Sequence, residues 1–319
     1  MIENTATHRA LIARIKELKI QKNAVIVCHN YQRPEIYEVA DFIGDSLGLC
    51  EETKRVDCRM IVFSGVYFMA ESAAILNPDK KVVIPERDAG CALSDMITAE
   101  GLRKKKLEYP DAAVVCYVNS TADVKAESDI CCTSSNAVEI VRSLPNRQIL
   151  MVPDRNLASF VARLVPEKEI IAWDGFCPIH QRITAAYLAS AMKDHPDAKI
   201  IAHPECQEDV RDMADYVVST TKMIEVAEKD PASEFYVITE CGMANRMKQV
   251  LPDKKFYTVC SVCFDMKKNT LEGIERALIT EEYEVVVSDE VRYRAARAFD
   301  RMFEVSARSG MAPNLLEMT

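Results

Sequence analysis

Stretches with apolar residues at helical spacing alternate along this chain with short, uninterrupted apolar runs. An amphipathic helix over residues 7–18 leads into the run Ala24–Cys28. The pair returns as a helix over 94–107 before Ala113–Cys116, and as 182–194 before Lys199–Ala202. A last copy reads as 270–279 before Glu284–Val287. Sustained helix–strand alternation predicts parallel α/β layers. The apolar runs lack a period-two pattern, as expected of strands covered on both faces.

The residues just past each strand also repeat, about every 87 positions. The first three strands run into His29-Asn30-Tyr31, Tyr117-Val118-Asn119 and His203-Pro204-Glu205. Each gives two polar groups two positions apart, on one face of extended chain. In open α/β sheets this is the end where ligands bind. Seventeen residues past the first polar group (29 to 46, 117 to 134, 203 to 220) a second short strand meets Ser or Thr and then a helix. The junctions are Asp45-Ser46, Thr133-Ser134-Ser135 and Ser219-Thr220-Thr221. Ser and Thr there are ordinarily N-caps. Three equivalent junctions beside strand-end polar pairs suit an anion, because helix N-termini present free N–H groups and partial positive charge. Each segment closes on a cysteine, Cys91, Cys177 and Cys263, spaced 86 residues apart. The pattern predicts three similar α/β units packed about one pseudo-threefold axis, with the three cysteines meeting at one point. The expected organisation is 1–90, completed by a strand and helix over about 282–306, then 91–176 and 177–266. Residues 267–319 are expected to pack on the first unit, with a flexible tail or short lid after Arg308.

Composition narrows the chemistry. Forty basic against 49 acidic residues leave a net charge of −9, which argues against general nucleic-acid binding. There are nine glycines and no glycine-rich nucleotide loop, so a phosphate must be held in another way. The N-terminal stretch is polar, and no segment reaches the length of a membrane span, so a soluble, cytoplasmic protein is expected. In a reducing compartment the twelve cysteines are core residues, metal ligands or reactive thiols rather than a disulfide framework.

Three converging thiolates can hold zinc or an iron–sulfur cluster. Paired zinc-knuckle spacing and contiguous ferredoxin spacing are both absent, apart from Cys260/Cys263. A 4Fe–4S cluster on three cysteines leaves one iron open as a Lewis acid, which points to dehydration or condensation rather than electron carriage. The other cysteines are expected to be small buried hydrophobes. Of five histidines, His29 and His203 end strands and His180 lies three residues past Cys177, so these three are candidate acid–base groups. Glu205 is the one carboxylate among the strand-end pairs and the candidate general base. Cys260 is expected to be no cluster ligand, with a disulfide to Cys263 after cluster loss or inert burial as its two readings.

As a set, these motifs resemble the quinolinate synthase family. The match runs through Cys28–Tyr31, Ile43–Leu47, Phe63–Glu71, Asp88–Cys91, Tyr117–Ser120, Cys132–Ala137, Trp173–His180, His203–Cys206, Ser219-Thr220 and Cys263-x-x-Met266, from about Val25 to Met302. Phe264 departs from the proline associated with that position. The resemblance implies condensation of iminoaspartate with dihydroxyacetone phosphate to quinolinate, phosphate and water, in NAD biosynthesis. It implies three α/β/α, Rossmann-like units about a pseudo-threefold axis with the active site at their junction, and one 4Fe–4S cluster on Cys91, Cys177 and Cys263 with one open iron. It implies a site lined by His29, Tyr31, Tyr117, Asn119, His180, His203 and Glu205, with Ser46, Ser134, Ser219 and Thr220 on substrate anions. Glu205 is then the general base, with Tyr31 and His29 in late proton transfers. Partners would be the iron–sulfur assembly machinery and an iminoaspartate-producing aspartate oxidase or dehydrogenase, with no nucleic acid and no membrane. Two other readings stay open: a cluster-dependent hydro-lyase on a small hydroxy acid, and an iron–sulfur sensor.

Overall fold

The computed structural model describes residues 2–259 and 261–308, with side chains from residue 8 onward. Cys260 and the segment after Arg308 lie outside the described residues, and with them the expectations of a Cys260 disulfide and a terminal lid. The described strands form three four-stranded sheets, all parallel. The first holds β1 (Ala24–His29), β2 (Phe42–Gly44), β3 (Met60–Ser64) and β4 (Lys81–Val83). The second holds β5 (Ala113–Tyr117), β6 (Ile130–Cys132), β7 (Gln148–Val152) and β8 (Glu169–Ala172). The third holds β9 (Lys199–Ala202), β10 (Tyr216–Val217), β11 (Glu234–Ile238) and β12 (Lys255–Tyr257). The strand order is identical in all three: β2-β1-β3-β4, β6-β5-β7-β8 and β10-β9-β11-β12. The three similar α/β units read from the sequence are therefore present. The chain divides into two compact units, residues 1–91 with 263–289, and the rest. The first sheet belongs to one and the other two sheets to the second.

Side-chain devices repeat with the sheets. Asp41, Asp129 and Asp215 each accept the backbone N–H of the central strand, from Ile26, Val114 and Ile200, at 2.8 Å in every copy. Thr98, Thr184 and Thr270 each cap a helix seven residues past a candidate cysteine. A cap of this kind stabilises by about 1 kcal/mol. In the first unit, Ile15, Ile26, Met60, Val62, Ile274 and Leu278 form one buried cluster, so the helices Ile2–Gln21 and Leu271–Thr280 are held by apolar burial against the sheet.

Three local expectations are corrected. The segment over 94–107 is a 3₁₀ turn at Ser94–Met96 followed by the helix Ala99–Glu108, because Thr98 starts the helix at its capped Gly101 N–H. No strand forms at 284–287: Glu284 makes a single antiparallel bridge to Val83, with Val285 N–H donating to Val82 O at 2.8 Å. The helix Asp289–Arg308 does not complete the first unit. From residue 290 it belongs to the second, where Arg301 donates to Asp129 O (2.8 Å) and Asn136 to Ser306 Oγ (3.0 Å), and where Ala295, Ala298, Phe299 and Met302 are buried.

Candidate active site

The first and third strand-end pairs sit on tight turns. Gln32 N–H donates to His29 O and Cys206 N–H to His203 O, both at 3.0 Å. Within each turn the histidine Nδ1 accepts the backbone N–H two residues on, from Tyr31 (3.1 Å) and from Glu205 (3.3 Å). An accepting Nδ1 puts the proton of a neutral imidazole on Nε2, so both rings offer an N–H donor away from the turn. All four of these side chains are buried.

In the first unit, His29 and Tyr31 meet edge to face with ring centroids 4.6 Å apart. The Cys263 loop is tied to that strand end: Lys267 Nζ donates to Tyr31 O, and Arg33 Nε donates to Lys267 O at 2.9 Å. The same loop reaches the Cys91 loop, with Lys268 Nζ on Asp88 O at 2.6 Å. Ser46 is the first residue of its helix rather than the cap. Asp45 caps instead, accepting Gly48 N–H at 2.9 Å, because a carboxylate competes well for an N-terminal N–H.

The second unit gathers a larger group. Glu205 Oε2 lies 3.2 Å from His180 Nδ1 and 3.2 Å from His203 Nδ1, with the two imidazoles stacked 4.7 Å apart. The opposite ring nitrogen of His180 is 2.7 Å from Thr239 Oγ1. Burial holds the His180 pKa down at about 4 against the opposing pull of Glu205, so the ring is neutral near pH 7. Cys177 completes the cluster: one donor atom each from Cys177, His180 and Glu205 lie within 4.8 Å of one another, a set able to hold a metal ion. Tyr117 is buried and Asn119 half-buried at the end of β5, and Asn119 Oδ1 is buried without a hydrogen-bond partner among the described residues. At the Ser/Thr junctions the second cap is Asn136, which accepts Thr133 N–H at 2.7 Å, so Ser134 stands outside the cap. Ser219 holds the cap position of the third but makes no capping bond. It meets Ser135 instead, Oγ to Oγ at 2.7 Å, with Thr220 buried beside it.

The described cysteines differ in burial, and Cys241 departs from the expected burial. Cys91, Cys177 and Cys263 are half-buried, each just before a turn or short helix: Ser94–Met96, Pro178–Gln181 and Met266–Lys268. Of the other described cysteines all are buried except Cys241, whose Sγ donates to Ser261 O at 3.3 Å.

Sequence reasoning missed Asp154. This buried carboxylate follows β7, caps the helix Arg155–Leu164 through Leu157 N–H (2.7 Å), and accepts Cys177 N–H with its other oxygen (3.0 Å). Burial first, then the Glu205 charge, pushes its pKa up to about 8. Its counterpart after β11 is the buried Glu240, 86 residues on, but after β3 the place belongs to Val66, so the repeat shows only twice. Asn156 was missed too; its Nδ2 donates to Glu205 O at 3.1 Å.

The fold and this group define an α/β enzyme with a buried acid–base cluster at strand carboxyl ends, beside a Cys/His/Glu set suited to a metal. The family model for quinolinate synthetase A protein matches residues 13–304. A quinolinate synthase of Alkaliphilus metalliredigens is 49% identical over 297 residues, covering 92% of this chain and 98% of the relative. One from Methanosarcina barkeri is 50% identical over 300 residues, covering 93% and 98%. The chain belongs to the quinolinate synthase family. No described helix is long and apolar enough to cross a membrane.

Proposed function

We propose that the protein is a quinolinate synthase that condenses iminoaspartate with dihydroxyacetone phosphate to quinolinate, phosphate and water, in the cytoplasmic synthesis of NAD. One observation carries the reading: a buried carboxylate, Glu205, between two imidazoles and within reach of Cys177. Such a base is shielded from water and oriented for taking a proton from carbon.

Cys91, Cys177 and Cys263 are the proposed ligands of one 4Fe–4S cluster. The donor set fits: three half-buried thiols at repeat-equivalent loops, two of them on loops joined through Lys268 and Asp88. When bound, the cluster supplies a Lewis-acidic open iron that draws electron density from substrate oxygens. The chain's own residues do the rest. Glu205 Oε2 takes the proton, and its position 3.2 Å from the Nδ1 atoms of the neutral His180 ring and of His203 puts a lone pair from each ring within reach of that proton. His29 and His203 offer Nε2–H to substrate oxygens, and Tyr31 stands edge-on to His29 for later proton return. Tyr117 and Asn119 are proposed donors to the substrate carboxylates. Ser46, Ser134, Ser219 and Thr220 are proposed for the phosphate and carboxylate anions, near helix starts whose free N–H groups attract negative charge. An aspartate oxidase or dehydrogenase would supply iminoaspartate, and iron–sulfur assembly proteins the cluster.

The test is spectroscopic. Quinolinate added to the anaerobic, brown protein is expected to perturb the cluster absorbance and electron paramagnetic resonance at one equivalent. An unchanged spectrum at saturating quinolinate, with a small hydroxy acid perturbing it instead, would favour a hydro-lyase.

A further inference from the structure

We propose that the cluster-free chain binds a single divalent transition-metal ion of the zinc class on Cys177, His180 and Glu205. One donor atom from each of the three lies within 4.8 Å of the others. In tetrahedral zinc sites, with Zn–S about 2.3 Å and Zn–N or Zn–O about 2.0–2.2 Å, neighbouring donors sit about 3.2–3.7 Å apart. The His180 Nδ1 to Glu205 Oε2 separation of 3.2 Å is already of that size. With every donor pair inside 4.8 Å, the thiol has at most about 1 Å to close on the same geometry. Cys177 leads the four-residue helix Pro178–Gln181 from a half-buried loop, so a side-chain rotation supplies that movement.

Independently of spacing, His180 is 1% exposed and its Nδ1 makes no hydrogen bond among the described residues. Its Nε2 is fixed at 2.7 Å by Thr239 Oγ1. A ring held at one nitrogen by a neighbouring group, with the other nitrogen bare and buried, is the usual setting of a metal-ligating imidazole. His203 does not belong to the set, because its Nδ1 accepts Glu205 N–H.

The donors define the ion. One sulfur, one nitrogen and one carboxylate oxygen suit borderline ions such as Zn²⁺, Co²⁺ or Fe²⁺, not the oxygen-seeking Mg²⁺ or Ca²⁺. A thiolate and a carboxylate together balance the two positive charges, and water would fill the fourth position. Cys91 and Cys263 are not in the set. That the ion and the cluster exclude each other, by sharing Cys177, rests on the proposed cluster ligands. The ion would also occupy the carboxylate assigned as base, giving a metal-blocked form of the enzyme.

The full chain, prepared anaerobically without cluster, is titrated with Co²⁺ and then with competing Zn²⁺. The expected result is one Co²⁺ per chain, with a thiolate-to-cobalt charge-transfer band and tetrahedral visible bands that Zn²⁺ abolishes. Cys91→Ser and Cys263→Ser titrate like the parent, Cys177→Ser loses the charge-transfer band, and Glu205→Gln weakens binding at least tenfold. Thr239→Val, which removes the hydroxyl that holds the ring at Nε2, weakens it about 10–100-fold. Glu205→Gln is nearly isosteric, so it reads the site without the packing loss of a His180 truncation. Unchanged affinity in Glu205→Gln, or loss of the band in Cys91→Ser, would overturn the proposal. Because Cys91 and Cys263 lie outside the set, these arms separate the ion site from the cluster reading.

Discussion

Glu205 and its two histidines show how local geometry sets chemistry. The turn His203–Cys206 aims the His203 Nδ1 at the Glu205 backbone and leaves the carboxylate facing both rings. If Glu205 is the base, Glu205→Gln keeps the bound iron and lowers turnover about 10²–10⁴-fold. Paired iron analysis and anaerobic rate measurement check this, and a loss below tenfold would make Glu205 a spectator. A second residue lies away from the site. Glu281 ends the helix Leu271–Thr280 in the left-handed region (φ 56°), where glycine is the usual occupant. Its carboxylate meets Arg59, Lys81 (2.9 Å) and Lys22 (3.3 Å), and hydrogen bonds from Arg59 and then Lys81 hold its pKa down at about 2. A depressed carboxylate pKa contributes stability above the ordinary value of about 4.3 and loses it as pH falls toward about 2. The pairs are partly exposed, so each contributes about 0.2–1 kcal/mol. Urea midpoints at pH 6, 4 and 3 should fall less steeply in Glu281→Gln than in the parent. Parallel curves would show that the carboxylate adds nothing to the folded state.

At the scale of elements, the repeat was legible because every copy keeps the strand, the polar pair and the cysteine in phase. Strands β1, β5 and β9 were read within one residue at either end, since buried parallel strands leave an unbroken apolar run. Other features left no such trace. β10 is two residues long, and Asp154 recurs as Glu240 but not at Val66, so neither pattern nor composition marks it. The run Glu284–Val287 is apolar enough for a strand, yet tertiary context gives it one antiparallel bridge. The terminal helix shows no partner in its sequence; its hydrogen bonds to Asp129 O and Asn136 decide where it packs. Two substitutions test the packing. Ile274 is fully buried in the first-unit cluster, so Ile274→Ala should lower unfolding free energy by about 2–5 kcal/mol in urea titration. Gly175 precedes the Cys177 loop, and a Cβ there would overlap the Pro153 carbonyl oxygen. Backbone cannot yield as a side-chain tip does, so Gly175→Ala should cost about 1–3 kcal/mol and reduce iron content. Full stability and full iron in that variant would show that the loop accommodates the methyl freely.

At the scale of the whole molecule, three sheets with one strand order carry different side chains at equivalent strand ends: His29 and Tyr31, Tyr117 and Asn119, His203 and Glu205. A repeated scaffold has thus supplied positions, and divergence at those positions has supplied different polar side chains, one of them a carboxylate. The chain bears a net charge of −9, so the two anionic substrates proposed would be drawn in by local groups rather than by the overall field. The measurement that bears most directly on the proposed reaction is anaerobic turnover of the cluster-loaded full chain, with iminoaspartate generated in place and dihydroxyacetone phosphate added. Quinolinate and inorganic phosphate should appear in equal amounts, and both should vanish in Cys91→Ala, Cys177→Ala and Cys263→Ala. Phosphate release without quinolinate from fully loaded protein, or undiminished quinolinate from any of the three cysteine variants, would contradict it.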